Sequence, residues 1–249
     1  MHASPTLEKA EAYLNVHLAR SGPGATSPAR LPFVTLSREA GAGASSLARI
    51  LADQLNAELH SDEPPWTVFD GNLVEAMLEA NHYSVTLARF LPEDDVSEWS
   101  ASVGEIVGLH PSLWELTQKT NELIRQLGRL GHCILIGRGS NFATAGLPGG
   151  VHVRLVGSPV NRAVHVARLQ QLELDEARNR NARSDLARRR HVRAVFNREV
   201  DDPIAYDLIL NTDRIPLPEA SRLITSLLAN REPTGPSVSS IGLHLPAHA

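Results

Sequence analysis

The sequence predicts an α/β fold in which helices cover both faces of a parallel sheet. Short runs of apolar and β-branched residues alternate with amphipathic segments of helical periodicity along most of the 249 residues. Parallel strands that are buried on both faces consist of such continuous apolar runs, and each needs a crossover, usually a helix, before the next strand. The alternation therefore indicates three layers, with the sheet in the middle.

Five short segments are predicted as the strands of this sheet, because each is apolar and ends at a turn signal. They are residues 31–36, 67–69, 133–136, 151–156 and 207–211. Helical periodicity predicts helices over residues 7–18 and 113–130, and others that start near Ser45, at Pro159 and at Pro218. The hydroxyl groups of Ser45 and Ser46 are expected to cap the helix that follows the first strand.

Composition excludes several classes of protein. The formal net charge of -4 argues against a general nucleic-acid or membrane-surface binder, and aromatic residues make up only 4% of the chain. No segment approaches the roughly 20 apolar residues of a membrane-spanning helix. The single cysteine, Cys133, cannot form an internal disulfide, which fits a reducing cytoplasm.

The chain is predicted to have one globular domain with two extensions. Residues 1–30 are expected to form an amino-terminal helix and a flexible linker, and residues 31–231 the domain. Residues 232–249 are rich in Pro, Gly and Ser, which predicts a disordered tail. Residues 82–111 are mixed in character and are interpreted as an insertion over the core. The sequence makes no prediction of the oligomeric state.

The turn after the first strand is a candidate phosphate-binding loop. It contains Ser37, Arg38, Gly41 and Gly43 and leads into a predicted helix. Glycine permits close backbone approach, and a helix N-terminus presents unpaired N–H groups to phosphate. A strand-to-helix turn with two glycines is alternatively only a tight packing connection. The loop alone does not decide between these two interpretations, and residues elsewhere in the chain are needed.

Arg138 follows the third strand and lies between Gly137 and Gly139. Its guanidinium can clasp a phosphate in a bidentate manner, with Asn141 adding a polar contact. The alternative is an arginine that pairs with a structural carboxylate. Asp70 follows the second strand. It either contacts the acceptor nucleoside or a water bound to magnesium, or it only caps the next helix.

A basic run lies between the last two predicted strands. Its acid is Asp185, and its arginines are Arg178, Arg180, Arg183, Arg188, Arg189, Arg190, Arg193 and Arg198. Such a run is a solvated helical face, a nucleic-acid patch or a lid that closes over a phosphate site. Its position in the chain favours the lid.

Four segments together resemble the cytidylate kinase-like family in order and spacing. They are residues 37–43, residues 134–141, Asp185 with Arg188 and Arg189, and residues 206–212. The resemblance spans about residues 31–228. It implies a P-loop nucleoside monophosphate kinase fold with an arginine-rich lid, and transfer of a phosphoryl group from ATP to a nucleotide monophosphate or related small phosphorylated acceptor. It also implies Mg²⁺.

The resemblance, together with the position of residues after each strand, assigns expected roles in this chain. The arginines expected around the transferred group are Arg38, Arg138, Arg188 and Arg189. The expected donor loop comprises Ser37, Gly41, Ala42, Gly43, Ala44, Ser45 and Ser46, with Ser46 as the magnesium ligand. The expected acceptor contacts are Asp70, Gly137, Arg138, Asn141 and Asp185, and Asp185 is also expected to orient the arginines of the lid.

Two departures from this pattern limit the prediction. Ala44 stands where the P-loop lysine is expected, and Arg38 in the same loop is a candidate to replace its charge. Gly139 stands where cytidylate kinases carry an aspartate, so cytosine recognition is not implied. A nucleotide-binding regulatory module with little turnover is therefore the second hypothesis. An RNA-binding protein that uses the arginine run is the third.

Overall fold

The computed structural model of the protein describes residues 12–17, 31–60, 63–71 and 113–231. Five strands form one parallel sheet, in the order β2-β3-β1-β4-β5. The strands are β1 (Phe33–Arg38), β2 (Thr67–Phe69), β3 (Cys133–Ile136), β4 (Gly150–Val156) and β5 (Leu208–Asn211). The predicted parallel sheet is therefore confirmed.

Helices follow the strands. They are α1 (Ala44–Ala57), α2 (Leu113–Leu130), α3 (Ser140–Ala143), α4 (Pro159–Gln170), α5 (Leu174–Phe196) and α6 (Leu217–Ala229). A short 3₁₀ turn, Pro203–Ala205, precedes β5, and residues 12–17 are also helical. In the described part of the chain, no helix is long and apolar enough to cross a membrane.

Helices cover both faces of the sheet, as predicted. Alternate residues of a strand point to opposite faces, and alternate residues of β1 belong to two different clusters. Val34 and Leu36 pack with α1 and α6, whereas Phe33 packs with α2 and the helical residues 12–17. The central strand is thus buried on both faces, which explains its continuous apolar sequence.

The amino-terminal helical residues pack closely against the domain. Tyr13 and Leu14 are buried, and the Tyr13 hydroxyl donates a hydrogen bond of 2.6 Å to the carbonyl of Gly131. The described part of the predicted amino-terminal helix therefore contributes to the second core cluster. The predicted linker after residue 17 and the predicted insertion and tail lie outside the described residues, and the domain boundaries stay a prediction.

Two predicted details at the first turn are wrong. Strand β1 continues to Arg38, because Ser37 and Arg38 pair with Arg154 and Leu155 of β4. Helix α1 begins at Ala44, and its N-cap is Gly43, with a φ of 86° and no side-chain cap. The serines do not cap the helix because it begins before them. Its N-cap position has a left-handed backbone, which Gly43 adopts without strain.

Candidate active site

A cavity of about 470 Å³ lies at the carboxyl edge of the sheet, where β1, β2 and β3 end. Ligand sites of parallel α/β sheets occur at this edge. Most of the predicted site residues line it: Ser37, Arg38, Ser45, Asp70, Gly137, Arg138, Asn141 and Arg188. Helix α5 adds further lining residues, among them Ser184, His191 and Val192.

Three arginines from three different elements meet at this cavity: Arg38 from β1, Arg138 from the turn after β3, and Arg188 from α5. Burial, followed by the charges of Arg188 and Arg138, lowers the pKa of Arg38 to about 10. Burial also lowers the pKa of Arg188, against the opposing effect of Asp185. Arg38 therefore remains cationic at neutral pH.

Among the described residues, Asp70 and Asp185 are the carboxylates whose charges act on Arg38, and they oppose the effect of the two neighbouring arginines. The net effect of burial and of these charges is still to lower the pKa of Arg38, so a further anion would stabilise its charged form. The cavity is therefore suited to a ligand that carries negative charge.

Glycines allow the arginines to reach the cavity. A Cβ atom on Gly137 would overlap the Arg38 guanidinium, and one on Gly71 would lie 2.9 Å from Nε of Arg138. Gly137, Arg138 and Gly139 all adopt left-handed φ angles of 76°, 55° and 67°. Left-handed backbone is costly for a residue with a side chain, so this turn holds Arg138 in a strained conformation beside the cavity.

The glycine segment of the loop lines a second, smaller recess of about 170 Å³. Its walls come from the loop, α4, the turn after β5 and the start of α6: Gly41, Ala42, Gly43, Asn161, Arg162, His165, Thr212, Asp213 and Leu217. Gly41 has a φ of 83°, and a Cβ there would overlap the backbone carbonyl of Arg162. The loop therefore lies between two recesses, and close approach of α4 requires glycine at this position.

Asp185 lies between the recesses and is bonded to both sides. Its carboxylate accepts hydrogen bonds from the Ala40 amide at 2.7 Å, from Arg162 at 2.8 Å and from Arg188 at 3.0 Å. It lines neither recess. Of the two arginines that it was expected to orient, it contacts Arg188.

Arg189 lies outside the large cavity. Its side chain is half exposed and its Nε donates a 3.0 Å hydrogen bond to Asp201. Two donor-loop residues, Ala44 and Ser46, line neither recess. Ala44 is 5% exposed and belongs to the hydrophobic core. The roles that the resemblance gives to these three residues stay predictions.

Sequence reasoning missed a group of buried polar residues that supports the site. Arg154 of β4 bonds to the Ser37 hydroxyl at 3.1 Å and to Asp201. The Tyr206 hydroxyl lies 3.2 Å from that of Ser37 and donates a 2.7 Å hydrogen bond to the carbonyl of Val200. The sequence did contain a signal for this group. Arg154 lies inside an apolar strand, and a charged side chain that is buried needs polar partners.

His191 was also missed. Its ring lines the large cavity, and Nε2 is buried without a hydrogen-bond partner among the described residues. Burial and the nearby Arg138 lower the pKa of this imidazole. Its position within the arginine run gave no sign that it faces the site.

No group of three or more His, Cys, Asp or Glu side chains that could hold a metal ion occurs in residues 12–17, 31–60, 63–71 and 113–231. Magnesium bound with a nucleotide needs only one or two protein oxygens, because phosphate and water supply the others. The Asp70 carboxylate at the cavity fits that requirement, whereas the Ser46 hydroxyl in the first turn of α1 is half-buried outside both recesses and its metal role stays a prediction.

Comparisons with known proteins show the family of the chain and proteins of similar structure. The model of the cytidylate kinase-like family matches residues 33–214. An uncharacterized protein from Eubacterium ventriosum has a similar structure, with a TM-score of 0.59 at 13% identity over 80% of this chain and 99% of that one. Shikimate kinase from Bacteroides thetaiotaomicron matches with a TM-score of 0.43 at 15% identity, over 80% of this chain and 98% of the other. No curated protein sequence matches the chain.

Proposed function

Because the chain belongs to the cytidylate kinase-like family, we propose that it is a phosphotransferase that moves the γ-phosphoryl group of ATP to a nucleoside monophosphate or a related small phosphorylated acceptor. One observation carries the proposal: Arg38, Arg138 and Arg188 meet at one cavity beside a glycine-containing loop, and burial and the two other arginines lower the pKa of Arg38. Such a cluster favours an anionic ligand, and phosphate matches the forked donors of arginine.

The donor is proposed to bind at the loop. The first amides of α1 have no intrahelical partners, so they can bind phosphate oxygens close to Gly43. The smaller recess, on the other side of the glycine segment, is proposed to hold the nucleoside. Ser46 and Asp70 are the residues that would hold Mg²⁺, which would neutralise charge on the phosphate oxygens.

The acceptor is proposed to bind in the large cavity with its phosphate among the three arginines. Phosphoryl transfer needs the two substrates in line and cations where negative charge develops, rather than covalent chemistry from the protein. Arg138 is held beside the cavity by its turn, and Arg188 bonds to Asp185. Arg38, which ends β1 directly before the loop, supplies the cation that a P-loop lysine would otherwise provide.

The test is turnover. The protein is incubated with ATP, Mg²⁺ and each of AMP, CMP, GMP and UMP, and the products are separated and counted. We expect a diphosphate product from at least one acceptor, and a loss of about 10²-fold or more in turnover for Arg138→Ala. Absence of product from all four acceptors would contradict the proposal for nucleoside monophosphates.

A second candidate function is a nucleotide-binding module with little or no turnover. The observation that favours it is Ala44, whose methyl group is buried in the hydrophobic core at the place expected for the P-loop lysine. This candidate predicts that ATP and a monophosphate bind while no product forms. Arg38→Ala tests whether Arg38 replaces the lysine. Unchanged ATP affinity in this variant would show that it does not.

A further inference from the structure

Asp185 has an unusual position for a carboxylate in the middle of an arginine-rich helix. Its side chain is only 12% exposed, and both oxygens are engaged. Oδ1 accepts from the Ala40 amide and from Arg188, and Oδ2 accepts from Arg162. The carboxylate therefore joins α5 to the phosphate loop and to α4.

The two arginines bonded to Asp185 belong to different recesses. Arg162 lines the small recess beside the glycine segment, and Arg188 lines the large cavity. The same NH1 atom of Arg162 donates to Asp185 and to the carbonyl of Ala40, each at 2.8 Å. A continuous path of hydrogen bonds thus runs from the small recess through Asp185 to the large cavity, with the loop attached in the middle.

We propose that Asp185 is a positioning residue that couples the two recesses, so that a nucleotide bound at the loop strengthens binding of the acceptor in the large cavity. The inference rests on the proposed function. It adds that binding of the nucleotide and binding of the acceptor are energetically coupled. Asp185 contacts neither ligand in this account and acts through Arg162, Arg188 and the Ala40 amide.

The physical basis is shared ordering. Arg162 and Arg188 are long side chains whose placement costs conformational entropy, and one carboxylate fixes both. A nucleotide that orders the loop and Arg162 also orders Asp185, and the acceptor then meets an Arg188 that is already in place. Linkage requires the effect to be reciprocal, so the acceptor must strengthen nucleotide binding by the same factor.

Calorimetric titrations test this inference on the full chain. The tightest-binding member of AMP, CMP, GMP and UMP is titrated with and without a saturating non-hydrolysable ATP analogue and Mg²⁺. We expect the analogue to lower the Kd of the monophosphate at least about fivefold in the wild type. In Asp185→Asn, which keeps the shape and removes the charge, we expect that ratio to fall to about one, because the amide cannot accept the same set of bonds from both arginines.

Asp175→Asn is the matched control. It removes a carboxylate from the same helix, where Asp175 forms an exposed pair with Arg178 at 3.2 Å, and we expect the ratio to stay at its wild-type value. A merely structural role for Asp185 would weaken both ligands and leave the ratio unchanged. Arg162→Lys supplies a second test, since lysine lacks the fork that reaches Asp185 and Gly157, and it decides the question if Asp185→Asn does not fold.

An unchanged ratio in Asp185→Asn, or a ratio of one in a wild type that binds both ligands, would overturn the inference and leave the proposed function intact. A wild type that binds neither ligand would instead refute the proposed function, and with it the coupling. The two failures are therefore distinguishable in the same titrations.

Discussion

The guanidinium of Arg38 occupies the space that a side chain on Gly137 would need. A Cβ atom on Gly137 would overlap Arg38, and Gly137 itself has a φ of 76°. The end of β1 and the turn after β3 are thus fitted to each other at the centre of the candidate site. The glycine is required both by its backbone angle and by the arginine beside it.

We predict that Gly137→Ala displaces Arg38 and weakens binding of a monophosphate by about tenfold or more, since a charge-assisted hydrogen bond contributes about 1.5–3 kcal/mol. Left-handed backbone adds about 1–2 kcal/mol of destabilisation for alanine. Isothermal titration measures the affinity, and urea denaturation measures the stability.

Gly146→Ala separates these two effects. Gly146 has a nearly identical φ of 78°, and nothing lies within 4 Å of a Cβ placed there. We expect it to lose a similar amount of stability from backbone strain while the affinity stays at the wild-type value. Equal losses of affinity in both variants would show that Arg38 is not the reason for glycine at position 137.

The arginines of α5 are predicted to differ in importance. Arg188 lines the cavity and is fixed by Asp185, whereas Arg189 is half exposed and pairs with Asp201 outside it. We predict that Arg188→Ala lowers kcat/KM at least about 10²-fold, which is a typical effect of losing one donor to a transition-state oxyanion. Arg189→Ala is predicted to change it less than about threefold, as expected for an exposed ion pair.

Steady-state kinetics with ATP and the preferred acceptor would measure both values. A large loss in Arg189→Ala would indicate that α5 moves during the reaction and brings Arg189 to the phosphates. That result would restore the role that the resemblance to the family assigns to it.

Stability is predicted to fall as the pH decreases below about 6.5. Burial lowers the pKa of His152 and of His191 from the ordinary value of 6.5, with Arg231 and Arg138 respectively acting in the same direction. Between each lowered pKa and 6.5 the unfolded chain binds more protons than the folded protein, so acid favours unfolding. Above pH 6.5 both rings are neutral in both states and their full contribution is present.

The check is the Tm of wild type and His152→Gln between pH 7.5 and pH 5. We expect the Tm of wild type to fall over this range by about 2–4 °C for each kcal/mol lost, and the variant to fall less. The Thr35 hydroxyl, which lies 2.9 Å from Nδ1 of His152, can also bond to glutamine. A pH profile that is the same in both proteins would exclude His152 as a cause.

Most of the fold could be predicted because its signals are local. The bounds of β2, β3 and α2 match the predicted residues 67–69, 133–136 and 113–130, since each segment shows its period clearly and ends at a turn. The end of β1 was predicted too early because Ser37 and Arg38 look like turn residues. Their strand conformation is set by pairing with β4, which is a tertiary effect that local sequence does not reveal.

Those residues of the candidate site that lie at the carboxyl ends of strands could be predicted. Arg38, Asp70 and Arg138 could be brought together by the rule that carboxyl ends of parallel strands share one edge. The partners of Arg154 and Arg162 could not be predicted, because they depend on how α4 and α5 pack against the loop. For the same reason, the sequence could not separate Arg188 from its neighbour Arg189.

The central claim is that three arginines and the loop beside them form a site for phosphate-bearing ligands. Isothermal titration of the wild-type protein with ATP and with AMP, CMP, GMP and UMP, each with Mg²⁺, tests it most directly. We expect saturable binding of ATP and of at least one monophosphate at separate sites, with one molecule of each ligand bound per chain. No heat of binding from any of these ligands, with correctly folded protein, would contradict it.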